Sequence, residues 1–189
     1  MAHAEYQLTL PARTDADDDD AISAILQRAK AKIGMIPNMY ANMANVPALL
    51  DMYLLGYDAF RAESGFDPAE QEVVFLTISQ TNGCSYCVAA HSAVADMAKV
   101  PAPVTEALRA GSPLPDPRLD ALATFTRVML ETRGRPTNAD VASFLGAGYT
   151  ETQILQIVLA MAVKTISNYS NHLFHTTVDK AFAHRAWEG

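Results

Sequence analysis

The amino-acid sequence predicts an all-helical fold made of a single domain. Apolar residues recur at helical spacing in nearly every segment, helix start and stop signals alternate along the chain, and no strand pattern stands out. The chain has 189 residues with 50% hydrophobic content, so it can bury a sizeable core. We expect an extended amino-terminal arm over residues 1–14 and one helical domain over residues 15–189.

The first third of the chain predicts three helices. An acidic run over residues 15–20 precedes apolar residues at helical spacing, and negative charge favours the amino terminus of a helix. Gly34 ends this first helix, and Pro37 marks the turn that follows it. Two further helical stretches are expected near residues 38–45 and 47–62.

Start signals mark the helices in the rest of the chain. Asp67 and Pro68 combine a capping carboxylate with a proline at the first helical position, and residues 116–117 repeat that signal. A capping box at residues 150–153 begins the last long helix, which we expect to run from residue 151 to about 175. The remaining helices are expected from residue 84, from residues 101–103 to Gly111, and from residue 137 to Gly146 or Gly148.

The chain contains two cysteines, Cys84 and Cys87, and a histidine, His91, follows them by one helical turn. In a helix these three residues share one face. Two thiols one turn apart can form a disulfide with little rearrangement, as a reversible two-electron redox centre requires. Gly83 interrupts the preceding helix, so a new helix can begin at the first cysteine, where the macrodipole favours a thiolate.

A glutamate twelve residues before the first cysteine completes a candidate proton relay. His91 could take or relay the proton of a thiol, and Glu72 could orient or recharge that histidine. This requires the two helices to pack antiparallel, and the reversal of the chain at residues 82–83 favours such packing.

The cysteines and the histidine also allow two structural interpretations. Cysteine is among the residues most often buried, so the pair could be ordinary core residues. Zinc could be held by the two sulfurs and His91, with His172 or His175 as the fourth ligand from the last helix. The coincidence of spacing, helix start and histidine favours a redox pair over both interpretations.

The charge of the chain excludes several classes of partner. A formal net charge of -7 argues against a nucleic-acid-binding surface, which needs clustered lysine and arginine, and against an anionic membrane surface. The first residues lack the pattern of a secretory signal, and the longest apolar stretch, residues 154–166, is too short to span a bilayer. We therefore expect a cytoplasmic protein with no nucleic-acid and no membrane partner.

The spacing of Glu72, Cys84, Cys87 and His91 resembles the signature of the alkylhydroperoxidase D-like proteins, which belong to the wider carboxymuconolactone decarboxylase family. Stretches around residues 34–38, 82–84, 120–125 and 168–171 are similar to the peroxidase-related branch, and the resemblance covers about residues 20–175. It implies an all-helical fold that assembles as a homo-oligomer, either a trimer or a hexamer.

The resemblance also implies roles for the four residues. Cys87 is implied as the thiol that attacks a peroxide, Cys84 as the more exposed resolving thiol, and Glu72 with His91 as the proton relay. The implied substrate is a small-molecule hydroperoxide, and the implied reductant is an unidentified dithiol or protein. Because the thiols carry the redox chemistry, we expect neither a cofactor nor a metal ion.

Two further residues are candidates for accessory roles. The well-studied peroxidases of the family have a histidine between the cysteines, where this chain has Tyr86. A phenol titrates near about 10, so it is a poor base at neutral pH, although it can donate a hydrogen bond. His172, which follows the apolar part of the last helix, is the second accessory candidate.

The sequence also allows two alternative functions and favours a particular assembly. The chain could be a non-enzymatic oligomer whose cysteine pair senses redox state or binds metal, or a lyase or isomerase on the same fold. The decarboxylase branch of the family lacks the paired cysteines, which argues against that chemistry. Helices near residues 38–62 and 151–175 are apolar over more than one face, which favours a homo-oligomer.

Overall fold

The computed structural model describes residues 4–189 and confirms the all-helical fold. Within these residues there are nine α-helices, one short 3-10 helix and no β-strand. The first three residues of the predicted arm lie outside the described part of the chain. The α-helices are α1 (Asp20–Ile33), α2 (Asn38–Met43), α3 (Pro47–Glu63), α4 (Pro68–Thr81), α5 (Ser85–Met97), α6 (Ala102–Ala110), α7 (Pro117–Glu131), α8 (Asn138–Gly146) and α9 (Glu151–Phe174), and the 3-10 helix is Ala183–Arg185.

The helices begin where the capping signals predict. The Asp67 carboxylate accepts a hydrogen bond from the Glu70 amide at 2.8 Å, and the Glu70 carboxylate accepts one from the Asp67 amide at 2.9 Å. Thr150 and Gln153 form the same reciprocal box at the start of α9. These bonds satisfy amide groups that have no partner within the helix, and so they fix the first turn of α4 and of α9.

Helix α4 is the centre of the structure. Every residue from Glu70 to Ser79 is buried, because α5, α6, α7 and α9 all pack against this helix. Helices α3 and α9 also pack closely: a Cβ atom at Gly56 would lie 2.8 Å from Cγ2 of Val163. Glycine at position 56 therefore allows the close approach of the two helices.

The turn between α4 and α5 places the first cysteine at a helix start. Gly83 has a φ of 68°, in the left-handed region that favours glycine, and Cys84 is the N-cap residue of α5. The Cys84 amide donates to the Ser79 carbonyl at 2.9 Å. The predicted helix break at Gly83 and the predicted start of a new helix at the first cysteine are both confirmed.

Both terminal segments lie against the helices. Residues 4–14 have no helix or strand, and the Leu8 amide donates to the Leu173 carbonyl at 2.9 Å. After α9 the chain crosses α5 and α6, where Arg185 pairs with Asp96 and Glu106. The 3-10 helix in this segment has no signal that we identified in the sequence. None of the helices within residues 4–189 combines the length and apolarity needed to cross a bilayer.

Candidate active site

The four residues of the motif meet in the interior, where α4, α5 and α9 pack together. Glu72 comes from the middle of α4, and Cys84, Cys87 and His91 come from the start and first turns of α5. All four side chains are buried, and Cys84 and Cys87 are only 1% and 2% exposed. The structure therefore brings the four residues together, as their spacing in the sequence predicts.

Glu72 holds His91 on one side and a cation on the other. Its Oε2 atom lies 2.8 Å from Nδ1 of His91, and its Oε1 atom lies 2.5 Å from Nη2 of Arg61 on α3. Burial opposes ionisation of Glu72, but His91 and Arg61 outweigh it, so its pKa is below the usual value. Because Glu72 is ionised, Nδ1 of His91 carries the hydrogen and Nε2 is the nitrogen left to exchange a proton.

His91 is held in its neutral form. Burial lowers the pKa of this imidazole, the positive charge of Lys164 lowers it further, and the contact with Glu72 opposes both. The net pKa is below the ordinary value of a histidine. A neutral imidazole with a free Nε2 lone pair can accept the proton of a neighbouring thiol.

The two thiols are free and share one donor from α9. Nδ2 of Asn171 lies 3.3 Å from Sγ of Cys87 and 3.8 Å from Sγ of Cys84. Burial opposes ionisation of Cys87, but a hydrogen bond from Cys84 and the positive charge of Lys164 outweigh it, so its pKa lies well below the usual value. The hydrogen bond to Cys87, together with burial, raises the pKa of Cys84. Cys87 is therefore the thiol that ionises more readily, and Cys84 is its hydrogen-bond donor.

Two expectations for Cys84 are wrong. It is not the more exposed thiol, because α9 and the start of α5 cover both sulfurs to the same extent. Its position at the helix start does not give it a lowered pKa, since it donates its hydrogen to Cys87 rather than ionising itself. The hydrogen bond with Cys87 is the largest cause of the raised pKa of Cys84.

Tyr86, which lies between the cysteines in the sequence, hydrogen-bonds to the carboxyl-terminal segment. Its hydroxyl donates to Oδ2 of Asp179 at 2.6 Å, and its ring packs edge-on against Phe182. Burial and this hydrogen bond raise the pKa of the phenol above its usual value. The hydroxyl therefore anchors the carboxyl-terminal segment and stays protonated, which excludes it as a base at neutral pH.

The second accessory candidate, His172, lies on the last turn of α9 with its ring 6.2 Å from the ring of Tyr169. The side chain of α9 that contacts both cysteine sulfurs is Asn171, the residue before His172. Within the same residues, no group of three or more His, Cys, Asp or Glu side chains is placed to hold a metal ion. The zinc interpretation therefore lacks a ligand set in the described structure.

A cavity of about 260 Å³ lies beside His91. Its wall is mainly aromatic and sulfur-containing, and it includes Met39, whose sulfur accepts a hydrogen bond from the same Asn171 amide that contacts the thiols. The cavity therefore has His91 and Met39 in its wall and is suited to an apolar small molecule. Its principal lining residues are Met39, Tyr40, Tyr53, Tyr57, Tyr86 and Phe182.

Three polar residues at the site were not predicted as site residues from the sequence. Lys164 and Asn171 are buried on α9, and Arg61 reaches Glu72 from α3. A signal for the first two was present: Lys164, Asn168 and Asn171 follow one another at helical spacing inside an otherwise apolar helix. Polar residues on the buried face of a helix indicate a site more often than a packed core.

Comparison with known proteins agrees with this geometry. The model of the carboxymuconolactone decarboxylase family matches residues 47–127, which include the glutamate, both cysteines and the histidine. A comparison with curated proteins found no match.

Solved structures share the whole fold. The alkylhydroperoxidase AhpD core of an uncharacterized peroxidase-related protein from Ralstonia eutropha JMP134 superposes with a TM-score of 0.79 at 22% identity, covering 92% of this chain and 93% of that one. An uncharacterized peroxidase-related protein from Silicibacter sp. TM1040 gives 0.77 at 22% identity, covering 96% of both chains. The debrominase Bmp8, in complex with 2,3,4-tribromopyrrole, gives 0.75 at 15% identity, covering 96% of this chain and 97% of that one.

These comparisons confirm the resemblance that the motif indicated. Similarity at this level of identity shows the fold, and the family match covers the segment that carries the motif. The segment over residues 47–127 is thus similar to the carboxymuconolactone decarboxylase family, and the chain as a whole has the alkylhydroperoxidase D-like fold.

Proposed function

We propose that the protein is a cysteine-dependent peroxidase that reduces an organic hydroperoxide through Cys87 and Cys84. The observation that carries this proposal is the packing of two neighbouring thiols, which share one amide donor and differ in pKa, close to the paired Glu72 and His91 side chains. A thiolate is the nucleophilic form of cysteine, and a protonated thiol in contact with it is ready to resolve the oxidised product. The peroxidase-related proteins with the same fold support the assignment.

In the first step the Cys87 thiolate attacks one oxygen of the hydroperoxide and the O–O bond breaks. Cys87 becomes a sulfenic acid, and the leaving alkoxide takes a proton to become an alcohol. Because His91 is neutral in the resting site, its Nε2 atom can take a proton from solvent and pass it to the alkoxide. Glu72 keeps the imidazole oriented and stabilises its protonated form during the transfer.

In the second step the Cys84 thiol attacks the sulfenic sulfur, water leaves, and a disulfide joins the two cysteines. The protein has then lost two electrons and the hydroperoxide has gained them. A dithiol or a protein reductant would return the pair to its thiol form by exchange. A reducing compartment such as the cytoplasm would supply that reductant.

The cavity beside His91 supports an organic substrate rather than hydrogen peroxide alone. Its volume, about 260 Å³, admits a small organic molecule, and its wall of tyrosine, methionine and phenylalanine favours apolar groups. An aryl or alkyl hydroperoxide could place its apolar part there and its O–O bond toward the thiols.

Substitution of each cysteine separates the two roles. We expect Cys87→Ser to abolish hydroperoxide consumption with a dithiol donor, because the attacking thiolate is lost. Without added dithiol, Cys84→Ser should consume one equivalent and stop, leaving a sulfenic acid on Cys87 that a dimedone-type probe traps. Mass spectrometry of the labelled peptide checks this result. Trapping on Cys84 in the Cys87→Ser protein would reverse the assignment, and unchanged turnover in both variants would refute it.

A second candidate function is reductive dehalogenation by the same thiols. It is favoured by the aromatic cavity and by the debrominase of the same fold that binds 2,3,4-tribromopyrrole. Cys87 would take the halogen from the ring, the ring carbon would gain a proton, and Cys84 would displace halide to form the disulfide. Bromide release from a bromopyrrole, compared with cumene hydroperoxide consumption and with Cys87→Ser as the common control, distinguishes the candidates. We expect the hydroperoxide to react faster, and preferential bromide release would favour dehalogenation.

The rate of the first oxidation should depend on pH on the acidic side only. Because the pKa of Cys87 is lowered, its thiolate is already present at neutral pH, below the ordinary thiol pKa of about 8.5, and the rate should be constant there. The thiolate is lost only as the pH falls through the lowered pKa. Stopped-flow oxidation of the Cys84→Ser protein measures this profile. His91→Ala should reduce the plateau about 100-fold, because the proton carrier is lost. A rate that climbs tenfold per pH unit up to about 8.5 would indicate an ordinary thiol and contradict the proposal.

We also propose that the protein is a homo-oligomer. Large apolar side chains are exposed on two packed helices: Met52 and Leu55 on α3 are 58% and 64% exposed, and Leu155 on α9 is 70% exposed. Contact with a second copy would remove this surface from water.

Sedimentation velocity at micromolar concentration tests the assembly. We expect a trimer or a hexamer for the wild-type chain, and a shift toward monomer for Leu55→Asp combined with Leu155→Asp, because buried carboxylates oppose association. Lys99→Asp, on an exposed residue at the end of α5, is the matched control and should leave the assembly unchanged. A wild-type chain that sediments as a monomer would contradict the proposal.

A further inference from the structure

Lys164 is a buried cation without a partner of its own. It lies in the middle of α9 with none of its surface exposed, and its Nζ atom makes no hydrogen bond and no salt bridge with any residue in 4–189. The ring of Phe75 lies 5.6 Å from Nζ and is only a weak partner for a charge. Burying an unpaired ammonium group is costly, so a folded protein keeps one where an anion balances it.

The position of Lys164 shows which groups it faces. Asn168 and Asn171 follow it by one and two turns on the same face of α9, and Asn171 donates to both cysteine sulfurs. The Phe75 ring that lies beside Nζ also packs against His91, with ring centroids 4.9 Å apart. Lys164 therefore faces the interior space that holds the thiols and the histidine.

The neighbouring charges leave Lys164 unbalanced unless a thiol ionises. Glu72 is the buried carboxylate of the cluster, and it is already paired with Arg61 at 2.5 Å. The phenols of Tyr53 and Tyr57 stay neutral, because burial raises the pKa of both. His91 can add only positive charge. The remaining source of negative charge is the cysteine pair.

The helices packed against α9 carry further ionisable groups near Lys164. Helix α2 contributes a buried phenol, and α7 uses its Arg118 and Asp120 side chains to bind Glu70 and the Leu114 amide. The groups that interact electrostatically with Lys164 include both cysteines and His91, which lie at the start and in the first turns of α5. The remaining ionisable groups of the cluster are Tyr40 on α2, Tyr53, Tyr57 and Arg61 on α3, and Glu72 on α4.

We propose that Lys164 is the counter-cation of the Cys87 thiolate and that the same charge keeps His91 neutral. With the thiolate present, the cluster of Arg61, Glu72, Lys164 and Cys87 carries two positive and two negative charges. A further positive charge on His91 is disfavoured beside Lys164, so the imidazole stays neutral and can accept a proton. Lys164 is a positioning residue, since it acts through Cys87 and His91 and does not contact the electrophile. The proposal therefore holds whichever electrophile the thiolate attacks.

Titration of the thiolate tests this role without any substrate. In the Cys84→Ser protein one thiol remains, and its absorbance at about 240 nm reports the thiolate as the pH is varied. We expect Lys164→Met to raise the midpoint by about one pH unit or more, which is about tenfold less thiolate below the midpoint. Lys164→Arg should keep the midpoint low because it keeps the charge. Lys99→Met removes an equal charge from the surface and should not move the midpoint.

A double-mutant cycle of melting temperatures tests the proposal even if one of the variants is destabilised. Cys87→Ser removes the anion, so it should lower the melting temperature, and adding Lys164→Met to it should restore part of the loss by removing the unbalanced cation. In the Cys87 protein the same Lys164→Met substitution should give no such gain. An unmoved titration midpoint, an equal effect of Lys164→Met in both backgrounds, or unfolding in both backgrounds would overturn the proposal.

Discussion

The interior of this protein depends on the balance of charge around one thiol. The helices α4, α5 and α9 bury a carboxylate, an imidazole, an ammonium group and two thiols within one apolar core, and the partly exposed guanidinium of Arg61 on α3 lies against them. Charges taken out of water are tolerated only when they are paired or can change their protonation state. Glu72 and Arg61 satisfy each other, and the thiols are the groups that can ionise to complete the balance. The same constraint that stabilises the core thus activates a nucleophile.

The local structure explains why one of the two cysteines ionises more readily than the other. Gly83 reverses the chain and makes Cys84 the cap residue of α5, which leaves Cys87 within the first turn. Asn171 donates to the sulfur of Cys87 at the shorter distance, and Cys84 adds its own hydrogen bond to that sulfur. Each donor favours the charged form of its acceptor. Tyr86 is directed away to Asp179, so it neither competes for the thiols nor serves as a base.

The sequence was sufficient for the parts of the structure that depend on local signals. Helical spacing, capping residues and glycines predicted the nine α-helices found within residues 4–189, and the reversal at Gly83 predicted the contact between Glu72 and His91. Features that depend on distant segments were not predictable in this way. The burial of Cys84 results from coverage by α9, and Lys164 approaches the thiols from 77 positions further along the chain than Cys87. A periodic pattern shows that such residues face the core, but it does not show what they meet there.

We expect Cys87, and not Cys84, to be a thiolate at neutral pH, because the pKa of Cys87 is lowered and that of Cys84 is raised. The most direct measurement is the thiolate absorbance near about 240 nm of the reduced protein at neutral pH, compared with the Cys84→Ser and Cys87→Ser proteins. We predict about one thiolate per chain in the wild-type protein, a similar amount in Cys84→Ser, and none in Cys87→Ser. Loss of the signal in Cys84→Ser with retention in Cys87→Ser, or no thiolate in any of the three proteins, would contradict this account.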